Sequence, residues 1–429
     1  MFDLRRKKHR NRRAQPSLST STGENSSLIS RKHKPDYGLL LICIALLIIG
    51  MVVMYSISPG LAAAQGVSQH YYIGKQFIAI AAGLIAFAIF SAISLDFLKR
   101  SKRTLVWLSL IMIIAVQIFG EKVNGAYRWI QFGGFSFQVA ELLKFALIVW
   151  LASFLVSRLV NKEINSNQKT LNPIMILLGL IAVLVAGMQS DFGSAGVMFA
   201  ITIVMSFSAG LPIKRILMIG GIIAAISVIA VVSTPYRRDR LATFLNPTSD
   251  CQDAGYQSCQ ALIAVGSGGI FGLGLGNGVQ AYGYLPEAEN DSIFAILAEK
   301  FGFIGSTAII ALYAILFARM RRIIICTKDT FSRLFVIGVL AWLSTQTIIN
   351  IGAMIGLLPL KGITLPLISY GGTSIVFIMA ALGVVFHISK YTSFAPLRNV
   401  DISESEVNGE DSSGRRRQRR PYYATASGR

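Results

Sequence analysis

Charge is scarce in this chain. Only 14% of its 429 residues are charged, and the acidic share is the smaller one: 21 Asp and Glu stand against 41 Lys and Arg. Beside 53% hydrophobic residues and a mean hydropathy of +0.58, so little polar surface could not cover a water-soluble globule. That excludes the soluble classes and leaves lipid as the cover. Histidine and cysteine are also scarce, with four of each. The two cysteines that stand close together, Cys251 and Cys259, have no histidine beside them and make a poor metal site.

What is abundant is long apolar sequence. About ten stretches can cross a hydrocarbon core of roughly 30 Å, which takes about 20 helical residues. They run approximately over 37–57, 72–93, 104–120, 139–158, 172–188, 193–210, 214–233, 291–318, 332–356 and 371–391. A helix satisfies its own backbone polar groups in lipid, and these stretches lack the alternation of barrel strands. The expected fold class is therefore an all-α integral membrane protein of about ten transmembrane helices. The first apolar run begins only after Pro35 and is long enough to span, so no cleavable signal peptide is expected.

An even number of spans puts both ends on one side, and both ends are basic. Counting the flanking tails and alternate loops, about 32 of the 41 basic residues fall on that side, which predicts cytoplasmic termini. Residues 1–36 and 393–429 are polar, basic and poor in apolar content, and are expected to be disordered tails around a membrane domain of residues 37–392. The formal net charge of +20 invites a nucleic-acid partner. Its distribution beside membrane spans makes anionic lipid headgroups the nearer one, and no nucleic acid is expected.

The long loop between spans seven and eight falls on the exterior. It holds Arg237, Arg238 and Arg240, which read equally as headgroup anchors or as a phosphate-binding guanidinium cluster. Cys251 and Cys259 follow, and in an oxidising compartment both a disulfide and two free thiols are compatible with their spacing. The glycine run over residues 266–278 lacks the Lys-Ser/Thr ending of a P-loop, which favours close backbone packing over a phosphate cradle. At the end of the loop, Asp291 opens an apolar run. It reads as a helix N-cap or as a carboxylate available as a base, and the two roles are compatible. Glu141 and Lys144 share a helix face, as a structural ion pair or a cavity-lining one. Gln189 and Asp191 fall in a short exterior turn where turn chemistry alone explains the Asp.

Taken together, the residues resemble a known family. Gly283-Tyr-Leu-Pro-Glu-Ala-Glu-Asn-Asp-Ser-Ile-Phe-Ala295, the glycine-rich segment before it, and Leu358-Pro-Leu-Lys-Gly-Ile-Thr-Leu-Pro-Leu-Ile-Ser-Tyr-Gly-Gly-Thr-Ser374 look like the bacterial SEDS family (shape, elongation, division and sporulation). The resemblance extends from Tyr37 to about Tyr391 and includes Asn124 to Ile130, Gln138 to Lys144, Gln189 to Ala195 and Arg237 to Pro247. Lys361 followed by Gly-Ile-Thr-Leu-Pro is more similar to the cell-division branch than to the elongation branch. Three positions depart from the family pattern: Val139-Ala140 where Pro-Ser is usual, Tyr127 before Arg128, and Ser292 where Phe is general.

The resemblance implies a peptidoglycan glycosyltransferase that polymerises lipid II at the outer face of the bacterial cytoplasmic membrane during septal wall synthesis. Asp291 matches the family's essential exterior aspartate. Arg128, Arg237, Arg238, Arg240 and Lys361 are the cations available to the pyrophosphate leaving group, with or without a divalent cation such as Mg or Mn. Glu287 and Glu289 are weaker candidates for a supporting carboxylate, and Glu141, Lys144, Gln189 and Asp191 would line the cavity beneath. The implied partner is a class B penicillin-binding protein transpeptidase among other divisome proteins, because this chain carries no Lys-Thr-Gly element with which to crosslink. A lipid II flippase and a noncatalytic divisome scaffold are the alternatives, since spans, buried charges and a central cavity would serve a transporter as well.

Overall fold

The computed structural model describes residues 34–123, 126–132, 135–232, 238, 244, 251–253 and 255–392. Arg237, Arg240 and most of the two tails lie outside the described residues.

Several helices begin where a short polar side chain satisfies one of their first backbone N–H groups. Asp36 accepts from Leu39 N at 3.2 Å and opens α1 (Tyr37–Gln65). After α2 (Tyr71–Ala92), Ser94 caps the short α3 (Leu95–Arg100), which leads to α4 (Lys102–Phe119). Helix α5 (Val139–Val160) follows, then a composite span of π- and α-helical pieces over Asn167–Met188, whose α-helical part is α6 (Asn172–Ile181). Next come α7 (Phe192–Ser208), α8 (Ile213–Val232), α9 (Tyr256–Ser267), α10 (Ile293–Cys326), α11 (Thr330–Met354) and α12 (Gly372–Ser389).

Among the described residues, eight helical spans are long and apolar enough to cross a membrane. Helices α7, with 17 residues, and α8, with 20, occupy the other two apolar stretches read from the sequence. Helices α5, α11 and α12 form the buried centre, whereas α2 and α4 turn most of their apolar surface outward. That outward surface is the one lipid would cover. Small residues allow the tightest approach: a Cβ at Gly83 of α2 would lie 2.9 Å from Ile375 Cγ2, and one at Gly383 of α12 would lie 2.6 Å from Phe87 O.

A small sheet accompanies the helices between α4 and α5. Residues Glu121–Val123, Ala126–Phe132 and Phe135–Gln138 form β1, β2 and β3, an antiparallel sheet in the order β1-β2-β3. Tyr127, Ile130 and Phe137 pack against Ile113 and Val116 of α4 and Val139 of α5. Gln138 N donates to Thr373 Oγ1 at 3.2 Å, which fastens the sheet's exit to the start of α12.

Helix α10 is broken at Gly302, where φ 63° and ψ −163° are open to glycine and costly for any side chain. The glycine-rich run satisfies the backbone groups freed there. Leu273 N and Gly274 N donate to the carbonyls of Glu299 and Lys300 at 2.9 and 3.0 Å, and Phe303 N donates to Gly269 O at 2.9 Å. A Cβ at Gly302 would lie 2.3 Å from Gly272 N, so strap and helix meet backbone to backbone.

Candidate functional site

The segment Pro286–Ser292 enters α10 through a tight turn. Glu287 adopts φ 51°, and its carbonyl accepts from both Asn290 N and Ser292 N at 3.1 Å. Its carboxylate accepts from Asn290 Nδ2 at 2.7 Å. Ser292 is buried; its Oγ donates to Pro286 O at 2.9 Å and accepts from Gln257 Nε2 of α9 at 3.1 Å. Ser292 occupies the N-cap position of α10, so Asp291 stands one residue ahead of the cap and the N-cap reading of Asp291 is corrected.

This turn lies along the irregular segment between α11 and α12. Tyr370 N donates to Glu289 O at 2.8 Å, and Ser369 Oγ donates to Asn290 O at 2.6 Å. Asn350 of α11 donates through Nδ2 to Asp291 O and to Ile363 O, both at 2.7 Å. Asp291 is thereby brought beside the segment that carries Lys361. A Cβ at Gly362 would lie 3.7 Å from Asp291 Oδ2, so the carboxylate faces this glycine at van der Waals distance. Asp291 and Lys361 are both half-buried. Burial raises the pKa of Glu289 above the usual carboxylate range; the charge of Glu287 adds to the rise and a hydrogen bond from its own backbone opposes it.

Gly362, Ile363 and Thr364 also line a small polar cavity of about 10 Å³, roughly the space of one water. Its other walls include Gln138, Glu141 and Lys144 at the start of α5, Ser194 of α7 and Gln346 of α11. Lys144 Nζ donates to Glu141 Oε1 at 2.7 Å, with both side chains no more than 3% exposed. Gln346 accepts from Trp342 Nε1 at 2.7 Å and donates to Thr364 O and Oγ1 at 3.1 Å. The cavity thus has a paired charge at one end and abuts Asp291 through Gly362.

Other residues singled out in the sequence fall elsewhere. Asp191 Oδ1 accepts from Ser194 N at 2.9 Å and caps α7. Gln189 and Asp191 are buried in the turn ahead of the cavity and do not line it, because the helix they introduce presents Ser194 and Val197 instead. Arg128 donates through Nε to Gln189 O at 2.9 Å and through Nη2 to Ser190 O at 2.7 Å, tying β2 to that turn. Arg238 is exposed. Cys251 and Cys259 are joined by a disulfide, with Cα atoms 5.6 Å apart. Among the described residues no three His, Cys, Asp or Glu side chains converge on a metal position.

The residues that sequence reasoning passed over are the polar ones inside apolar runs: Gln346 and Asn350 of α11, with Ser369 beyond it. A signal was present. Two amides four residues apart in a membrane span share a face, and polar groups at that depth turn toward the bundle interior.

The fold and this junction define a polytopic helical membrane protein with an irregular, polar assembly at one end of its central helices. Residues 37–394 match the family model described as Cell cycle protein, which covers FtsW, RodA and SpoVE. The chain belongs to this family. It is 36% identical over 373 residues to the stage V sporulation protein E of Bacillus subtilis (strain 168), covering 86% of this chain and 100% of that one. It is 37% identical over 371 residues to the probable peptidoglycan glycosyltransferase FtsW of Thioalkalivibrio sulfidiphilus, covering 85% and 92%. Among solved structures, it resembles a chain of a complex described as a peptidoglycan synthase coordinating polymerization and crosslinking, with TM-score 0.66, 27% identity and coverage of 83% and 97%. It also resembles the rod shape determining protein RodA of Thermus thermophilus, with TM-score 0.59, 25% identity and coverage of 83% and 96%.

Proposed function

We propose that this protein is a septal peptidoglycan glycosyltransferase of the bacterial cytoplasmic membrane, polymerising lipid II at the outer face. Membership of a family whose curated relatives include probable peptidoglycan glycosyltransferases over nearly their whole length supports the activity. The observation that carries the site is the half-buried Asp291 facing Gly362, beside the Lys361 segment. In the proposed reaction Asp291 takes the proton from the 4-hydroxyl of the acceptor GlcNAc as that oxygen attacks C1 of the donor MurNAc. The new glycosidic bond forms with inversion, the C1–O bond to the pyrophosphate breaks, and undecaprenyl pyrophosphate leaves with the electron pair. Lys361, next to Gly362 in the chain, is a candidate cation for that leaving group, with Arg237, Arg238 and Arg240 as further candidates on the long loop. Arg128 is a weaker one, since two of its donors are committed to the turn at Gln189 and Ser190. Crosslinking of the product would fall to a class B penicillin-binding protein.

The test is polymerisation of lipid II by the protein purified with a cognate class B penicillin-binding protein. Asp291→Asn preserves shape and removes the base, and the expected loss of rate is about 10²- to 10⁴-fold. Unimpaired polymer from folded Asp291→Asn would sink the base assignment. Movement of lipid II across vesicles with no polymer under any partner condition would replace the polymerase reading with a transporter.

A further inference from the structure

We propose that Asn350 is a positioning residue for the glycosyl transfer, its carboxamide setting the distance between Asp291 and the Lys361–Ile363 segment. The proposal rests on the reading of Asp291 as the base.

Asn350 lies near the end of α11, 2% exposed. One nitrogen, Nδ2, donates to Asp291 O and Ile363 O, both at 2.7 Å, although those residues lie 59 and 13 positions away in the chain. Both partners are carbonyl oxygens and can only accept, so the contacts fix which end of the amide faces them. The other end, Oδ1, is buried with no hydrogen-bond partner among the described residues. An apolar side chain would fill this space without the idle Oδ1, but it would leave the Asp291 and Ile363 carbonyls without this donor. The two donors therefore account for an amide here.

Their geometric effect is specific to Asp291. Tyr370 N and Ser369 Oγ hold the carbonyls of Glu289 and Asn290, so the turn stays attached without Asn350. The carbonyl of Asp291 is held by Asn350, and the same amide holds Ile363, next to the Gly362 that the carboxylate faces. Releasing it would let base and Gly362 drift apart while the rest of the junction persists. Misplacement of a reacting group by about 1 Å can cost about 10²-fold in rate. An asparagine serves because its side chain is short and its two N–H groups diverge, clamping two chains at once.

The test uses the full-length protein with its class B penicillin-binding protein and lipid II, and compares Asn350→Leu, Asn350→Gln and Asp291→Asn. Asn350→Leu removes both donors. Its kcat is expected to fall about 10- to 100-fold in the folded protein at a temperature well below its Tm, with KM within about threefold. Asn350→Gln retains both donors one methylene further out and is expected to recover at least about fivefold over Leu. Should Asn350→Leu fail to fold, Asn350→Ser keeps one donor and is expected to give an intermediate kcat at unchanged KM. Wild-type kcat in folded Asn350→Leu beside an inactive Asp291→Asn would overturn the positioning role alone. A rise in KM at constant kcat, or equal losses in Leu and Gln that track stability, would overturn it as well. Full activity of Asp291→Asn would overturn the base reading and this proposal together.

Discussion

The molecule carries two carboxylate centres only a few side chains apart, held in opposite ways. Glu141 sits on a regular helix and is neutralised by Lys144 one turn later, with both side chains nearly free of solvent. Asp291 sits between helices, half-buried, and its main-chain carbonyl accepts from Asn350 of a different helix. A charge satisfied by its own helix is part of the packing, and removing its partner is a stability event. A charge placed by its backbone can change chemistry while the packing stays as it was. The prediction that follows is a separation of phenotypes: Asp291→Asn should cost rate and little stability, and changes at Lys144 should do the reverse.

Lys144→Met is the most damaging way to probe that contrast. It leaves Glu141 buried with neither a counter-charge nor a donor from Lys144, and loss of one member of such a pair costs about 3–5 kcal/mol. The double variant Glu141→Gln/Lys144→Met removes both charges and should regain most of that loss, as measured by thermal unfolding in detergent. If Lys144→Met unfolds normally yet polymerises nothing, the pair belongs to the chemistry and the contrast fails.

The disulfide offers a gentler test on the other side of Asp291. Cys251–Cys259 ties the entry of α9 to its first turn, and Gln257 on that turn donates to Ser292, the residue after Asp291. Opening the bridge should loosen α9, at a cost of about 2 kcal/mol for so short a loop. Gln257→Ala and Cys251→Ser/Cys259→Ser are each expected to lower kcat about two- to fivefold, and their combination should cost little more than either alone. Fully multiplicative losses would show that the bridge acts somewhere other than through Gln257 and Ser292.

How far each centre can be read from sequence follows the same division. The Glu141–Lys144 pair is legible because i, i+3 spacing on a helix dictates contact. The ten apolar stretches are legible because a run of about 20 residues overwhelms local detail. The small sheet is not: Ala126–Phe132 is short and wedged between two spans, and its sign is two-residue separations by Asn124-Gly125 and Gly133-Gly134. The glycine run announces close backbone packing, yet nothing in it names the break at Gly302 as its partner. Asn350 is the sharpest case. Its polarity within a span points it inward, but both acceptors are main-chain carbonyls, which every residue has and no sequence distinguishes.

Glu289 separates the two centres by the smallest and most specific measure. It neighbours Asp291, yet burial raises its carboxyl pKa, so it holds its proton at pH values where an ordinary Glu has lost it. A raised carboxylate pKa stabilises the fold in full below the unfolded value of about 4.3, and that stabilisation is lost as pH rises through the folded value. Glu289→Gln has no proton to lose, so it should flatten the pH dependence of thermal stability just above that range. Relative to wild type, the variant should gain stability as pH rises, with a Tm difference of about 2 °C or less. The opposite slope would mean that Glu289 is ionised and paired in the folded protein. It would then add a further anionic group beside Asp291 and Glu287, and the pyrophosphate would have to be received against it.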